Sequence, residues 1–130
     1  MAARVLVIED HPANLELMVY LLRAFGHSPT EARDGLAGVE AALRDPPELI
    51  LCDIAMPKLD GYGVARLLKS DPRLHAVPLI AVTASAMVGD RARIIEAGFD
   101  GYISKPIDPE TFVAQIEGYL ARKATPEGAT

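Results

Sequence analysis

A chain of 130 residues with 50% apolar and 24% charged residues suits one globular domain and leaves little room for a second. Its 13 basic and 18 acidic residues give a formal charge of -5, which argues against a nucleic-acid surface, and no apolar run approaches membrane-spanning length. A single cysteine, Cys52, excludes an intramolecular disulfide, and the amino terminus has no signal-peptide hydrophobic stretch, so the chain reads as cytoplasmic.

Short apolar runs alternate with longer helical patterns. Residues 5–8, VLVI, form a β-branched-rich run expected for a strand buried on both faces. Leu15, Met18, Val19 and Leu22 then recur at helical spacing, with Gly26 as the stop. Ser28–Ala32 is a weaker strand. Asp34 and Gly35 start a second helix with Leu36, Val39 and Leu43 on one face, closed by Pro46 and Pro47. Residues 49–52 form another buried strand, in which Cys52 reads as a small hydrophobe. Asp60 and Gly61 open a third helix carrying Val64, Leu67 and Leu68. Residues 79–82 are a fourth strand, 86–97 a fourth helix ending at Gly98, and Gly101–Ser104 a fifth strand. The last helix has Asp108 as N-cap and Pro109 in its first turn, with Phe112, Ile116 and Leu120 inward. Residues 1–123 make the domain and residues 124–130 a frayed tail.

Five β-α units in a row imply an α/β fold, a doubly wound parallel sheet with helices on both faces. The expected strand order is 2-1-3-4-5, flavodoxin-like, with ligands bound beyond the carboxyl ends of the strands. The polar residues stand at those ends. The first strand runs into Glu9 and Asp10, the third ends in Asp53, the fourth in Thr83, and the fifth is followed by Lys105 and Pro106. Carboxylates gathered in one place repel unless a cation sits among them. Hard oxygen ligands of this kind suit Mg²⁺, and Lys105 supplies a second positive charge. A divalent ion, a lysine and a hydroxyl around a central carboxylate suit a transferring phosphoryl group, with Asp53 the nucleophile. A cis bond before Pro106 would aim the lysine. Each residue has a plainer reading too: Asp10 as a helix cap, Asp53 as a solvated strand end, Thr83 as a β-branched strand residue, Lys105 as a surface lysine. All four would have to hold together at the four correct strand ends. His11, His27 and His75 lack metal-ligand spacing and read as surface residues.

The segments VLVIEDHPAN, LILCDIAMPKLDGYG, LIAVTASA and GYISKPID resemble, in order, the motifs of bacterial response-regulator receiver domains, CheY-like in fold. The likeness runs over residues 4–122. The run VTASAMVGDRARIIEAG with YISKPI is most similar to stand-alone receivers of the DivK type, although receivers of hybrid kinases share it. The resemblance implies roles residue by residue. Asp53 would accept the phosphoryl group, and Glu9 and Asp10 would surround Mg²⁺ with the Ala55 backbone carbonyl. Thr83 would bind a phosphoryl oxygen, Lys105 would pair with the group, and Tyr102 would be the switch aromatic. The implied partners are a histidine kinase or His phosphotransfer protein, and a downstream protein on the face made by the fourth helix, fifth strand and fifth helix. Neither nucleic acid nor membrane is expected. The chain would not be an enzyme in the usual sense, though it would catalyse its own phosphorylation and dephosphorylation. His11 departs from the pattern, which often has Asn or Asp after the acidic pair. An aspartyl-nucleophile phosphatase would place DxDx[TV] at the end of the first strand, where this chain has EDHPA. A flavin or nucleotide carrier would need a Gly-rich loop there.

Overall fold

The computed structural model describes residues 2–84 and 87–124, apart from the side chains of residues 88, 123 and 124. The elements alternate along the chain: β1 (Arg4–Ile8), α1 (Pro12–Ala24), β2 (Ser28–Ala32), α2 (Gly35–Arg44), β3 (Leu49–Asp53), α3 (Gly61–Lys69), β4 (Leu79–Thr83), α4 (Val88–Glu96), β5 (Gly101–Ser104) and α5 (Phe112–Ala124). The sheet is parallel with order β2-β1-β3-β4-β5, as the sequence pattern implies.

The apolar runs form central strands because both faces of the sheet are covered. β3 and β4 are buried at every residue. Val5, Val7, Leu49, Leu51, Ile80 and Val82 join one core with residues of α1 and α5. Leu6, Ile8, Ile50, Cys52, Leu79 and Ala81 join the other, with residues of α2, α3 and α4. Period-two alternation therefore splits each continuous run between two layers. Asp34 and Asp60 cap α2 and α3, accepting from the backbone N–H of Ala37 at 2.8 Å and Gly63 at 2.9 Å. Among the described residues, no helix is long and apolar enough to cross a membrane.

The structure corrects several readings. In α2 the buried residues are Gly35, Gly38 and Ala42, while Leu36 is exposed and Val39 and Leu43 are only partly buried. The reason is proximity: a Cβ on Gly38 would press into the Ile8 side chain. This helix meets the sheet through its smallest residues, and its leucines flank the contact. Leu67 of α3 is likewise exposed. His27 is buried, not superficial, at 4% exposure. Its Nδ1 accepts from the Ala3 N–H at 3.1 Å, so Nε2 carries the proton and donates to Glu117 of α5 at 2.9 Å. The fourth helix runs over Val88–Glu96, within the expected 86–97. Ala86 lies outside the described residues, as do residues 125–130 of the expected tail, whose first member, Ala124, closes α5. α5 starts at Phe112, so Asp108 and Pro109 sit in a turn ahead of the helix instead of at its cap and first turn. The Asp108 carboxylate accepts from Glu110 N–H at 2.9 Å and its carbonyl from Phe112 N–H at 3.0 Å.

The Gly38 contact can be measured. Gly38→Ala gains helix propensity of about 1 kcal/mol and loses about 1–3 kcal/mol to overpacking, so a net loss is expected in urea unfolding. Adding Ile8→Ala should relieve the clash, making the double variant more stable than the sum of the singles.

Candidate functional site

The carboxyl ends of β1, β3 and β4 and the β5–α5 turn meet in one cleft of about 580 Å³. β1 delivers Glu9 and Asp10 just past its end, and β3 ends on Asp53, beside β1 in the sheet. β4 ends on Thr83. The loop after β3 turns back sharply, with Lys58 at φ 69° and Gly61 N–H donating to the Ile54 carbonyl at 2.8 Å. A Cβ on Gly61 would collide with the Asp53 carbonyl, so only glycine lets α3 start against the end of β3. The Lys105–Pro106 bond is cis, as the sequence reading has it.

Glu9, Asp10 and Asp53 each bring one oxygen within 4.8 Å of the others. Glu9 is fully buried and Asp53 nearly so, whereas Asp10 faces solvent. Lys105 reaches between them. Its Nζ lies 3.1 Å from Glu9 Oε1 and 3.3 Å from Asp53 Oδ1. The lysine that the sequence assigns to the phosphoryl group is thus also the counter-ion of a buried glutamate. Glu9 Oε2 accepts from His11 N–H at 3.2 Å, which gives the residue after the acidic pair a backbone role.

Charge crowding shows in the proton equilibria. Burial pushes the Asp53 carboxyl above the ordinary carboxylate range, and the neighbouring Glu9 charge adds to it against the pull of Lys105. Asp10 is raised by loss of water, then by its hydrogen bond with Asp53 and the charge of that residue. Burial works against the Lys105 charge, but the hydrogen bond to Glu9 and the charges of Asp53 and Glu9 together raise it. The Cys52 thiol is pushed up by burial, consistent with an inert packing residue.

A divalent cation fits this donor set. Three carboxylate oxygens converge, Ala55 lines the same cleft, and buried Glu9 Oε1 is met by the Lys105 ion pair at 3.1 Å without a well-formed hydrogen bond. Thr83 and Lys105 line the cleft with Asp10, Asp53 and Ala55, so most of the expected site comes together. Tyr102 does not line the cleft. It lies on β5, in register with Ala81 of β4, partly buried against the core, with the Arg91 guanidinium 5.5 Å from its ring centre. The cleft walls also include Asn14, Asp90 and Arg93, none of which the sequence reading singles out. A usable signal exists for the last two. They are three residues apart on α4, whose first turn follows the β4 end, so both project from one face beside that end.

Residues 5–117 match the response regulator receiver domain family, and the chain belongs to it: it is a signalling switch of the phosphoryl-accepting kind. Within that family it is 41% identical over 120 residues to the polar-differentiation response regulator DivK of Brucella ovis, spanning 92% of this chain and 98% of that protein. It is similar to the receiver domain of a Pseudomonas aeruginosa sensor histidine kinase with magnesium coordinated in its active-site cleft, at 31% identity and a TM-score of 0.85, covering 93% of this chain and 99% of the other. The Vibrio cholerae chemotaxis protein CheY4 shares the fold at a TM-score of 0.87 and 20% identity, over 92% and 99% of the two chains.

The direction of the Asp53 and Asp10 shifts sets a stability test. A carboxyl held above its unfolded value favours the fold while protonated and loses that contribution as pH rises through the raised value. In the metal-free protein, Asp53→Asn should therefore melt above wild type at neutral pH. The gap should close as pH falls through the raised Asp53 value toward the ordinary one near about 3.9.

Proposed function

We propose that Asp53 is the phospho-acceptor of a Mg²⁺-dependent receiver, fed by a histidine kinase or His phosphotransfer protein. What supports this most is one convergence: Asp53 within reach of Glu9 and Asp10, with Lys105 3.3 Å from its Oδ1. Glu9, Asp10, Asp53 and the Ala55 carbonyl would hold the ion. When bound, the ion would neutralise charge on the phosphoryl oxygens.

The chain's own groups then do the following. An Asp53 oxygen attacks phosphorus, the bond to the donor's leaving group breaks, and that group departs with the electron pair. Lys105, already against Asp53, shifts part of its contact to a phosphoryl oxygen. Thr83 donates its hydroxyl to another. The protein thereby catalyses its own phosphorylation and a slow hydrolysis, and in that limited sense alone resembles an enzyme.

The output is a protein contact. Phosphorylation adds a nearly dianionic group with strong acceptor oxygens. Thr83 moving toward it vacates space behind β4, and Tyr102 on β5 turns inward to fill it. Ala84, directly after Thr83, is small enough to leave that path open. The α4–β5–α5 face changes, and the downstream partner binds there. Neither nucleic acid nor membrane is part of this reading. Similarity to DivK along almost the whole chain supports a regulator whose domain, residues 1–123, acts through contacts in the cytoplasm, with residues 124–130 as a tail.

Incubation with acetyl phosphate and Mg²⁺ should add one phosphoryl mass to wild type and none to Asp53→Ala, and chelating the ion should abolish the gain. A phosphoryl gain in Asp53→Ala would refute the assignment. Tyr102→Ala should still be phosphorylated but couple poorly. In wild type, beryllofluoride should shift amide resonances across α4, β5 and α5, and in the variant the shifts should stay confined to the cleft loops.

A further inference from the structure

The cleft contains a second cation that phosphoryl transfer as described above leaves unused. Arg93 of α4 lines the same cavity as Asp53, Thr83 and Lys105, and also borders a shallower hollow with Arg66 and Glu96. Its head therefore stands at the rim, where the cleft opens to solvent. The guanidinium carbon lies 4.3 Å from the centre of the Tyr62 ring on α3. Tyr62 is itself braced edge-on by Phe99, with centroids 6.5 Å apart. Stacking of this kind fixes the plane of a guanidinium without using its N–H donors. The rim thus presents an oriented fork, not a loose side chain.

Charge gives the fork a task. Lys105 is engaged with Glu9 and Asp53 at 3.1 and 3.3 Å. The remaining walls carry the carboxylates of Asp10 and Asp90. A phosphoryl donor is itself an anion and enters against this field. Among the described residues lining the cleft, Arg93 is the Lys or Arg that stands outside the Glu9–Lys105–Asp53 cluster.

We propose that Arg93 recognises the phosphoryl donor, giving an entering dianionic acyl phosphate its first cationic contact and favouring it over donors of lower charge. This rests on Asp53 as acceptor. With acetyl phosphate, Asp53 forms the new P–O bond, the P–O bond to the acetyl group breaks, and acetate leaves with the bonding pair. No proton or co-reactant is required. Arg93 acts before that step and on the donor only. Hydrolysis of the finished aspartyl phosphate uses neutral water, so Arg93 has no part in it.

The test compares wild type, Arg93→Gln and Arg93→Lys, phosphorylated by acetyl phosphate or by phosphoramidate at saturating Mg²⁺ and followed by intact mass. Phosphoramidate carries a protonated nitrogen and so has lower net charge. Arg93→Gln should lower the second-order rate constant with acetyl phosphate about three- to tenfold, in the range of one steering charge, and lower it less with phosphoramidate. Arg93→Lys should keep most of the rate. The difference between wild type and Arg93→Gln should shrink at high ionic strength. Dephosphorylation should be unchanged in all three. Equal rates for wild type and Arg93→Gln on acetyl phosphate would overturn the proposal, as would equal losses on both donors accompanied by altered dephosphorylation. A wild type that gains no phosphoryl group would instead overturn the role of Asp53, and this inference with it.

Discussion

Repulsion among three carboxylates at two adjacent strand ends is the constraint around which this molecule is arranged. Glu9 and Asp10 leave β1 where Asp53 ends β3, and the sheet register gives them no means of separating. Two like charges 4 Å apart cost about 4 kcal/mol even at an effective dielectric near 20. Lys105 relieves part of that cost from the far side of β4, at 3.1 Å from Glu9 and 3.3 Å from Asp53. The relief is incomplete, as the raised Asp53 and Asp10 values show. An acidic site left short of positive charge favours whatever brings more, and that bias is why a divalent ion fits it.

The scaffold keeps this crowding from relaxing. The strands beneath the site are buried on both faces, and close-packed interiors move between discrete arrangements more readily than they deform smoothly. Gly61 sets the start of α3 against the Asp53 carbonyl. Gly38 lets α2 press on Ile8, the residue directly before Glu9. A new group on Asp53 therefore has few places to push. On the proposed reading the outlet is the β4–β5 side, where Thr83 and Tyr102 stand on paired strands.

Much of this was legible in the sequence because the strongest local signals and the site coincide. The runs VLVI, LILC and LIAV mark β1, β3 and β4, and the polar residues ending them meet at the candidate site. Asp34 and Asp60 announce the helices they cap. What stayed hidden depended on distance between elements. Helical spacing places Leu36 with Val39 and Leu43, but the separation of α2 from the sheet decides that Gly38 and Ala42 make the contact. Nothing near His27 in the chain foretells burial, because its partners, Ala3 and Glu117, are supplied by the residue before β1 and by α5. The Glu9–Lys105 pair joins residues 96 positions apart, and only the folded sheet edge makes it an interaction.

The His27 bridge has a mechanical consequence. It ties Glu117, near the middle of α5, to the start of β1 at the edge of the sheet away from the cleft. The ring is unexposed, and both nitrogens are held, so the tie resists both sliding and twisting. α5 begins beside the Lys105 turn and runs toward that tie. A rigid rod fastened at one point can only tilt about it. Any tilt of α5 is therefore a rotation about a fulcrum at Glu117, so the Phe112 end beside the cleft and the Ala124 end swing in opposite directions. Displacement is nearly nil at the bridge and grows toward both ends.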